Sequence, residues 1–133
     1  MTTHHNHAVI WIDHLEARVF QFNASDVEKL IVRPDNPSRH IHHKANSIGS
    51  GHAADNQAFL HAVAEAVSGI GAVLVTGPGL EKTALVKHIE RHDPKIARAI
   101  VGVEKIDHPS DPQLVAHARH YFRAADRMRP ASP

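Results

Sequence analysis

Residues 72–89, AVLVTGPGLEKTALVKHI, carry the pattern that decides the fold. Their first part, Ala72 to Thr76, is a short apolar run typical of a strand that is covered on both faces. A Gly-Pro-Gly turn occupies residues 77–79, and the apolar residues beyond it recur at helical spacing as far as Ile89. A covered strand that leads straight into an amphipathic helix predicts a parallel sheet with helical crossovers.

Three strands and a helix are predicted on the N-terminal side of this unit. A second apolar run, AVIWI, spans residues 8–12, and residues 16–22 and 26–32 are rich in β-branched and aromatic side chains. The breaks between these runs predict an antiparallel meander. Residues 46–51 contain two glycines and no apolar period, which predicts a loop, and helical spacing begins at about Ala54.

One further strand and one further helix are predicted on the C-terminal side. The second helix should end before Pro94, and Ala97–Val103 is the last predicted strand. Ser110 and Gln113 have the spacing of a capping box, so the last helix should begin there.

The predicted element order is β-β-β-α-β-α-β-α, in a single domain over residues 1–126 that is followed by a flexible tail at residues 127–133. Two right-handed crossovers make strands one, four and five parallel, and two hairpins put strands two and three beside strand one. The expected α/β fold is a five-stranded mixed sheet in the order 3-2-1-4-5 with helices on both faces. This three-layer arrangement resembles that of ribonuclease H.

The composition argues against several classes of protein. The chain has 133 residues, no cysteine and a formal net charge of +1, so it offers neither a disulfide framework nor a strong field for nucleic acid. Its apolar runs are too short to span a bilayer and its start lacks a signal-peptide core, which predicts a cytoplasmic protein without a membrane partner. Its 14 histidines are unusual: because imidazole titrates near pH ~6.5, any polyanion binding should strengthen as the pH falls.

Two enzyme motifs are incomplete. A ribonuclease-H nuclease needs carboxylates around two metal ions, yet Asp13 follows a strand at a turn and strand four ends in Thr76 without an acid. Asp13 is therefore interpreted as a hairpin-turn residue. A phosphate loop requires glycine directly before its lysine, and Glu precedes Lys82, so we predict no nucleotide hydrolysis. Gly77, Gly79 and Lys82 are either a structural turn or candidates for holding an anion at the start of the second helix.

Histidines cluster before the first helix and at the N-terminus. They are His40, His42, His43 and His52, with His4, His5 and His7. In an extended segment His40 and His42 share a face, which allows two ligands for Zn²⁺ or Ni²⁺ but does not complete a site. No carboxylate follows in residues 39–52, so the sequence predicts neither a defined metal site nor a cofactor, and a mobile basic loop is the alternative. The region also lacks a nucleophile elbow, so no catalytic residue is assigned.

The element order, the segment before the first helix and the sequence VTGPGLEKTALVKHI at residues 75–89 together resemble a known domain. It is the middle domain of the class-1 peptide-chain release factors of eukaryotes and archaea and of the ribosome-rescue protein Pelota. The opening motif VIWIDHLEARVF, residues 9–20, is similar to that of short bacterial translational machinery proteins. The resemblance spans Ala8 to Phe122 and implies the same fold and a role in translation.

In release factors, the segment before this helix carries a Gly-Gly-Gln motif that positions a water at the peptidyl-tRNA ester. By position, Ser50-Gly51-His52 replaces that motif here. The resemblance therefore implies a non-catalytic domain that binds the ribosome or another structured RNA. The candidate contacts are Arg39, His40, His42, His43, Lys44, Ser50, Gly51 and His52.

Two alternatives from other functional classes stay open. One is a hydrolase that uses residues 49–52, in which case His52→Ala should abolish the activity. The other is a protein-interaction module that forms a homodimer through an exposed edge strand.

Overall fold

A five-stranded mixed sheet lies between two layers of helices. The structure, a computed structural model, describes the backbone of residues 6–34 and 50–128, and the side chains of residues 6–34 and 56–124. Within these ranges the elements are β1 (His7–Ile12), β2 (Ala17–Phe22), β3 (Val27–Val32), α1 (Ser50–Ala66), β4 (Ala72–Gly77), α2 (Glu81–His92), α3 (Pro94–Ala99), β5 (Ile100–Lys105) and α4 (Asp111–Met128).

The strand order is β3-β2-β1-β4-β5, which confirms the predicted order. The pairs β1–β2 and β2–β3 are antiparallel, whereas β1–β4 and β4–β5 are parallel. The central strand β1 is buried from Ala8 to Ile12. Burial on both faces is the physical reason why residues 8–12 and 72–76 read as continuous apolar runs rather than alternating ones.

Each face of the sheet has its own core. The core under α1, α2 and α3 includes Ile10, Ile12, Val19, Leu60, Val63, Val75, Leu85 and Ile89. The core under α4 includes Val9, Trp11, Phe20, Phe22, Leu74, Leu114, Ala118 and Phe122. Successive residues of β1 point into opposite cores, as the period of two requires, and the predicted three-layer arrangement is confirmed.

The start of α1 differs from the prediction. The helix begins at Ser50, not at about Ala54, so Ser50 and Gly51 are helical and the predicted loop does not extend through residue 51. A glycine in the first turn of a helix is less costly than one in the interior, which is why Gly51 was a misleading sign of a loop. At the other end, α1 ends at Ala66, and Gly69 in the turn that follows has a φ of 86°, the left-handed conformation that favours glycine.

The connection to β5 is also different. Pro94–Ala99 is an additional short helix, α3, and the last strand begins at Ile100 rather than Ala97. Proline fits the first turn of a helix because the missing N–H would have no helical partner there, so Pro94 both ends α2 and begins α3. The last helix continues through Arg127 and Met128, the first two residues of the predicted tail, and residues 129–133 lie outside the described part.

The two outer strands expose apolar side chains. Leu30 on β3 is 47% exposed, and Val101 and Val103 on β5 are similarly uncovered. Among the helices that the structure describes, none combines the length and the apolar character needed to cross a membrane.

Candidate functional site

The carboxyl ends of the parallel strands β1, β4 and β5 meet at one edge of the sheet. We call the turns that follow them, residues 13–16, 78–80 and 106–109, the carboxyl edge. The backbone joins two of these turns directly, because the Ile106 amide donates a hydrogen bond of 3.1 Å to the Gly77 carbonyl. Open α/β sheets generally bind ligands outside the carboxyl ends of their strands, so the carboxyl edge is a candidate ligand-binding site.

Both ends of the segment that contains the candidate RNA contacts lie toward this edge. β3 ends at Val32, which pairs with Ala17, and Ala17 pairs with Ile12 at the carboxyl end of β1. The C-terminus of α1 lies at the opposite end of the sheet. Gln21 Nε2 donates a hydrogen bond of 2.5 Å to the Ala66 carbonyl, at the end of α1. Gln21 in turn pairs with Ala8, near the start of β1. The direction of α1 therefore brings its first turn toward the carboxyl edge.

The candidate contacts themselves are only partly described. Arg39, His40, His42, His43 and Lys44 lie outside the described residues. Ser50, Gly51 and His52 form the first turn of α1, and their side chains are also outside the description.

The Gly-Pro-Gly turn contains two glycines with different surroundings. Gly77 is buried at the end of β4, and a Cβ there would collide with the backbone carbonyl of Ile12 on β1. A Cβ at Gly79 would meet no atom of the described residues within 4 Å. Lys82 Nζ donates a hydrogen bond of 2.7 Å to the Gly79 carbonyl, which ties the start of α2 to the turn. Gly77 is therefore required for packing, and Pro78 has no amide N–H to offer an anion.

The acidic residues of this edge serve the local fold. Asp13 Oδ1 accepts hydrogen bonds from the amides of Leu15 at 2.8 Å and Glu16 at 3.0 Å, which confirms its interpretation as a turn residue. Burial raises the pKa of the Glu81 carboxyl; the nearby Asp13 carboxyl raises it further, and His14 opposes both. In place of an acid, the next-to-last residue of β4 is Thr76, whose buried hydroxyl donates a hydrogen bond of 2.8 Å to the Ile10 carbonyl. The carboxylate set of a two-metal nuclease is not assembled in this described part of the chain.

Charges of both signs occur along the described part of the carboxyl edge. Arg33, just after β3, has a guanidinium nitrogen 3.3 Å from a Glu16 carboxylate oxygen. Lys105 is exposed at the end of β5, and the exposed Asp107 lies next to His108. The described edge alone is nearly balanced, so any excess of positive charge for a polyanion must come from residues 39–44.

The α4 side of the edge is held rigidly by contacts that the sequence alone did not predict. Trp11 Nε1 donates to the carbonyls of Ile106 and Asp107, at 3.1 and 3.0 Å, and the Arg18 guanidinium lies 4.6 Å from the Trp11 ring centroid. Arg18 also donates a 2.6 Å hydrogen bond to Asp111, the first residue of α4. These contacts fix the turn after β5 and the start of α4 to the sheet.

The start of α4 has the predicted capping box. The Ser110 hydroxyl accepts from the Gln113 amide at 3.2 Å, and the Gln113 side chain accepts from the Ser110 amide at 2.9 Å. Asp111 accepts a second hydrogen bond, from Lys29 at 2.5 Å. The bonds from Lys29 and, secondarily, from Arg18 hold the pKa of the Asp111 carboxyl below its ordinary value.

A group of potential metal ligands lies elsewhere, toward the C-terminal end of α2. It consists of His61, His88 and Asp93, from three different elements of the chain. No short sequence motif links its members, so the sequence alone does not predict this group. His40, His42 and His43, the predicted candidates for metal binding, lie outside the described residues.

Neither a protein-family model nor the sequence of a curated protein matches the chain. Several solved structures are similar to it. Pelota from Archaeoglobus fulgidus has a TM-score of 0.60 and 13% identity, over 93% of this chain and 36% of that one. The archaeal translation termination factor aRF1 has a TM-score of 0.56 and 15% identity, over 92% and 38% of the two chains. Dom34 from S. cerevisiae, a translation termination-like factor involved in RNA quality control pathways, has a TM-score of 0.57 and 12% identity, over 90% and 34%.

These similarities establish the fold and its extent. The chain spans little more than a third of the length of each of these proteins, while nearly all of the chain takes part in the match. The resemblance predicted from residues 8–122 is confirmed at the level of the fold: the chain has the fold of one segment, about a third in length, of Pelota, aRF1 and Dom34.

Proposed function

We propose that the protein is a non-catalytic domain of translation that binds ribosomal or other structured RNA through the carboxyl edge and residues 39–52. The observation that carries this proposal is that β3 ends at the same end of the sheet as the carboxyl end of β1, and that the C-terminus of α1 lies at the opposite end. The fold adds support, because similar structures include a translation termination factor and a factor involved in RNA quality control pathways. Such a role agrees with the predicted cytoplasmic location.

The charge of the segment determines how binding should respond to conditions. Arg39 and Lys44 are cationic at any physiological pH, whereas His40, His42 and His43 gain charge only as the pH falls toward ~6.5. Phosphate contacts release counterions, so affinity should fall with salt. The proposed interface is therefore weak at neutral pH and high salt, and stronger at low salt and mildly acidic pH.

The helical backbone at Ser50 and Gly51 supports a non-catalytic role. Hydrolysis by release factors, as the resemblance implies, depends on flexible glycines, and a helical turn restricts that freedom. The alternative of a hydrolase built on residues 49–52 predicts peptidyl-tRNA or ester hydrolysis that His52→Ala abolishes. Hydrolysis with that sensitivity would replace our proposal.

Binding to a labelled, structured RNA, followed by fluorescence anisotropy across a salt series from about 50 mM, tests the proposal. Arg39→Ala/Lys44→Ala should weaken binding and lower the slope of log affinity against log salt by about 2, one for each lost phosphate contact. The control, Lys87→Ala/Lys95→Ala, removes two exposed lysines of α2 and α3 and should leave the slope unchanged. Equal losses in the two double variants would contradict the assigned surface.

The histidines are tested separately by pH. Wild type should bind the RNA more tightly at about pH 6 than at about pH 8, and His40→Gln/His42→Gln/His43→Gln should remove most of that difference. If wild type binds equally at both values, these histidines do not contribute to the interface.

A second candidate function, association of two copies through an outer strand, is favoured by the apolar surface of β3. Val27, Leu30 and Ile31 are 43%, 47% and 37% exposed, on a strand with one unpaired edge. Light scattering should then give twice the mass of the chain, and Leu30→Lys should return it to the monomer. A monomeric wild type at micromolar concentration would rule out this candidate.

A further inference from the structure

Three potential metal ligands converge where α1 packs against the junction of α2 and α3. His61 is on α1, His88 is in the last turns of α2, and Asp93 joins α2 to α3. One ligand atom of each lies within 4.8 Å of the others. The junction is far along α2 from the Gly-Pro-Gly turn, so it is independent of the carboxyl edge.

The separations are close to those of a metal site. With bonds of about 2.0–2.1 Å, the ligands of a tetrahedral ion lie about 3.3 Å apart, so each pair needs to approach by no more than about 1.5 Å. The His61 side chain is 57% exposed and has room to rotate by that amount. His88 and Asp93 are held by the ends of their helices.

Two of the three residues carry a buried polar side-chain atom that makes no hydrogen bond within the described part of the chain. Within the part of the chain that the structure describes, neither His88 Nε2 nor Asp93 Oδ2 has a hydrogen-bond partner. His88 is only 8% exposed, so water does not compensate its ring nitrogen. Buried polar atoms are nearly always paired, so two unpaired acceptors on residues of the same cluster favour a cation or a hydrogen-bond donor as their partner.

A neighbouring residue sets the tautomer of His88. His88 Nδ1 lies 2.9 Å from Gln57 Oε1, and a carboxamide oxygen only accepts hydrogen bonds, so Nδ1 carries the proton. Nε2 is then unprotonated, with its lone pair available. A ligand histidine oriented by a hydrogen bond from its other nitrogen is the usual arrangement around protein-bound metals.

Burial and the neighbouring ionisable groups both act on the protonation of His88. Burial lowers the pKa of His88. The nearby groups His92, His61 and Arg91 lower this pKa further, and Asp93 alone raises it. The lowered pKa favours the neutral imidazole, which is the form that binds metal. A second carboxylate is near, because Glu65 Oε2 lies 3.8 Å from His61 Nε2.

We propose that His61, His88 and Asp93 form a binding site for a divalent transition-metal ion, with Zn²⁺ the best fit and water at the fourth position. Two imidazoles and one carboxylate with an open position suit Zn²⁺ and exclude a preference for Ca²⁺ or Mg²⁺, which take oxygen ligands. The bound ion joins α1 to the α2–α3 junction. Binding therefore stabilises the fold, because the three ligands come together only in the folded chain.

Co²⁺ is the probe for the test, because its visible absorption is intense in tetrahedral sites and weak in octahedral ones. To remove competing histidines from the two clusters in the sequence, the full-length chain carries alanine at His4, His5, His40, His42, His43 and His52, while His7 is kept because it belongs to β1. This background variant should bind one Co²⁺ with tetrahedral absorption, and Zn²⁺ should displace it. The metal should also raise the unfolding temperature.

Three variants in this background identify the ligands. His61→Ala and Asp93→Asn should each weaken Co²⁺ binding by at least about tenfold, and Gln57→Leu by about 10–100-fold through the orientation of His88. His61 is exposed, and Asp93 makes no side-chain cap bond to α3, so both variants should fold and show the wild-type unfolding temperature without metal. His120→Ala, an exposed histidine on α4, is the control and should bind normally.

Three results would overturn the proposal. The first is a background variant that binds no metal. The second is a Co²⁺ affinity of His61→Ala and Asp93→Asn equal to that of the background variant. The third is a loss of Co²⁺ affinity in His120→Ala as large as the loss in those two variants. None of these results depends on RNA binding, so the metal site and the proposed function stand or fall separately.

Discussion

Replacement of Gly77 by alanine is expected to destabilise the protein, because the new methyl group has no space. A Cβ on Gly77 would lie well inside van der Waals contact of the Ile12 carbonyl oxygen, with the Ile12 carbonyl carbon and amide nitrogen close behind. The obstacle is backbone rather than a flexible side chain. The end of β4 must therefore move away from β1, with which it forms a parallel pair up to Trp11 and Thr76.

The size of the effect follows from two opposing terms. Overpacking costs about 1–3 kcal/mol, and a rigid backbone neighbour puts this site at the upper end. Alanine also reduces the conformational freedom of the unfolded chain, which offsets about 0.4–1 kcal/mol of this destabilisation. The net loss in the free energy of unfolding is about 2 kcal/mol. With an unfolding entropy of about 2.1 cal/mol/K per residue over 133 residues, the unfolding temperature should fall by about 7 °C.

Urea unfolding followed by circular dichroism measures this loss, and Gly79→Ala is the matched control. In the part of the chain that the structure describes, no atom lies within 4 Å of a Cβ on Gly79, and the φ of Gly79 is not positive, so this variant should match wild type or gain up to about 1 kcal/mol. Surface substitutions usually change the free energy of unfolding by no more than ~0.5 kcal/mol. A Gly77→Ala variant whose free energy of unfolding differs from that of wild type by less than this amount would refute the packing role. Equal destabilisation by both substitutions would refute it as well.

Two further substitutions test the contacts around the sheet. Asp111→Asn should lower the free energy of unfolding at pH 7 by about 1 kcal/mol, since it weakens the bonds to Arg18 and Lys29 in a partly exposed position. Those bonds lower the pKa of Asp111 in the folded state, so their stabilisation is complete above its ordinary pKa of 3.8 and is lost as the pH falls through the folded value. Urea unfolding should therefore show the variant approaching wild type in acid, and a difference that stays constant with pH would contradict this. Thr76→Val should cost about 1 kcal/mol in the same assay by removing the buried 2.8 Å bond to Ile10, and a variant as stable as wild type would show that the bond contributes nothing.

The sheet could be predicted from the sequence because its signals are local and consistent with one another. The apolar runs at residues 8–12 and 72–76 mark strands buried on both faces, and the right-handed crossover rule leaves few ways to arrange them. The capping box at Ser110 and Gln113 likewise fixes the start of α4 through residues only three positions apart. Each of these signals depends on neighbours in the chain.

The remaining features depend on contacts between distant parts of the chain. Pro94 is equally compatible with the end of one helix and the start of another, and the burial of Ile96 against the core stabilises α3. The contacts between Trp11, Arg18 and Asp111 join residues from three elements. The group of His61, His88 and Asp93 was missed for the same reason: the fold, rather than any sequence spacing, brings these side chains together.

Co-sedimentation of the full-length chain with ribosomes at about 50 mM salt tests most directly whether this fold serves translation. The protein should pellet with the ribosomes, be released as the salt is raised, and lose most of its association in Arg39→Ala/Lys44→Ala but not in Lys87→Ala/Lys95→Ala. A wild-type chain that stays in the supernatant at low salt, with residues 39–52 intact, would contradict the proposed role.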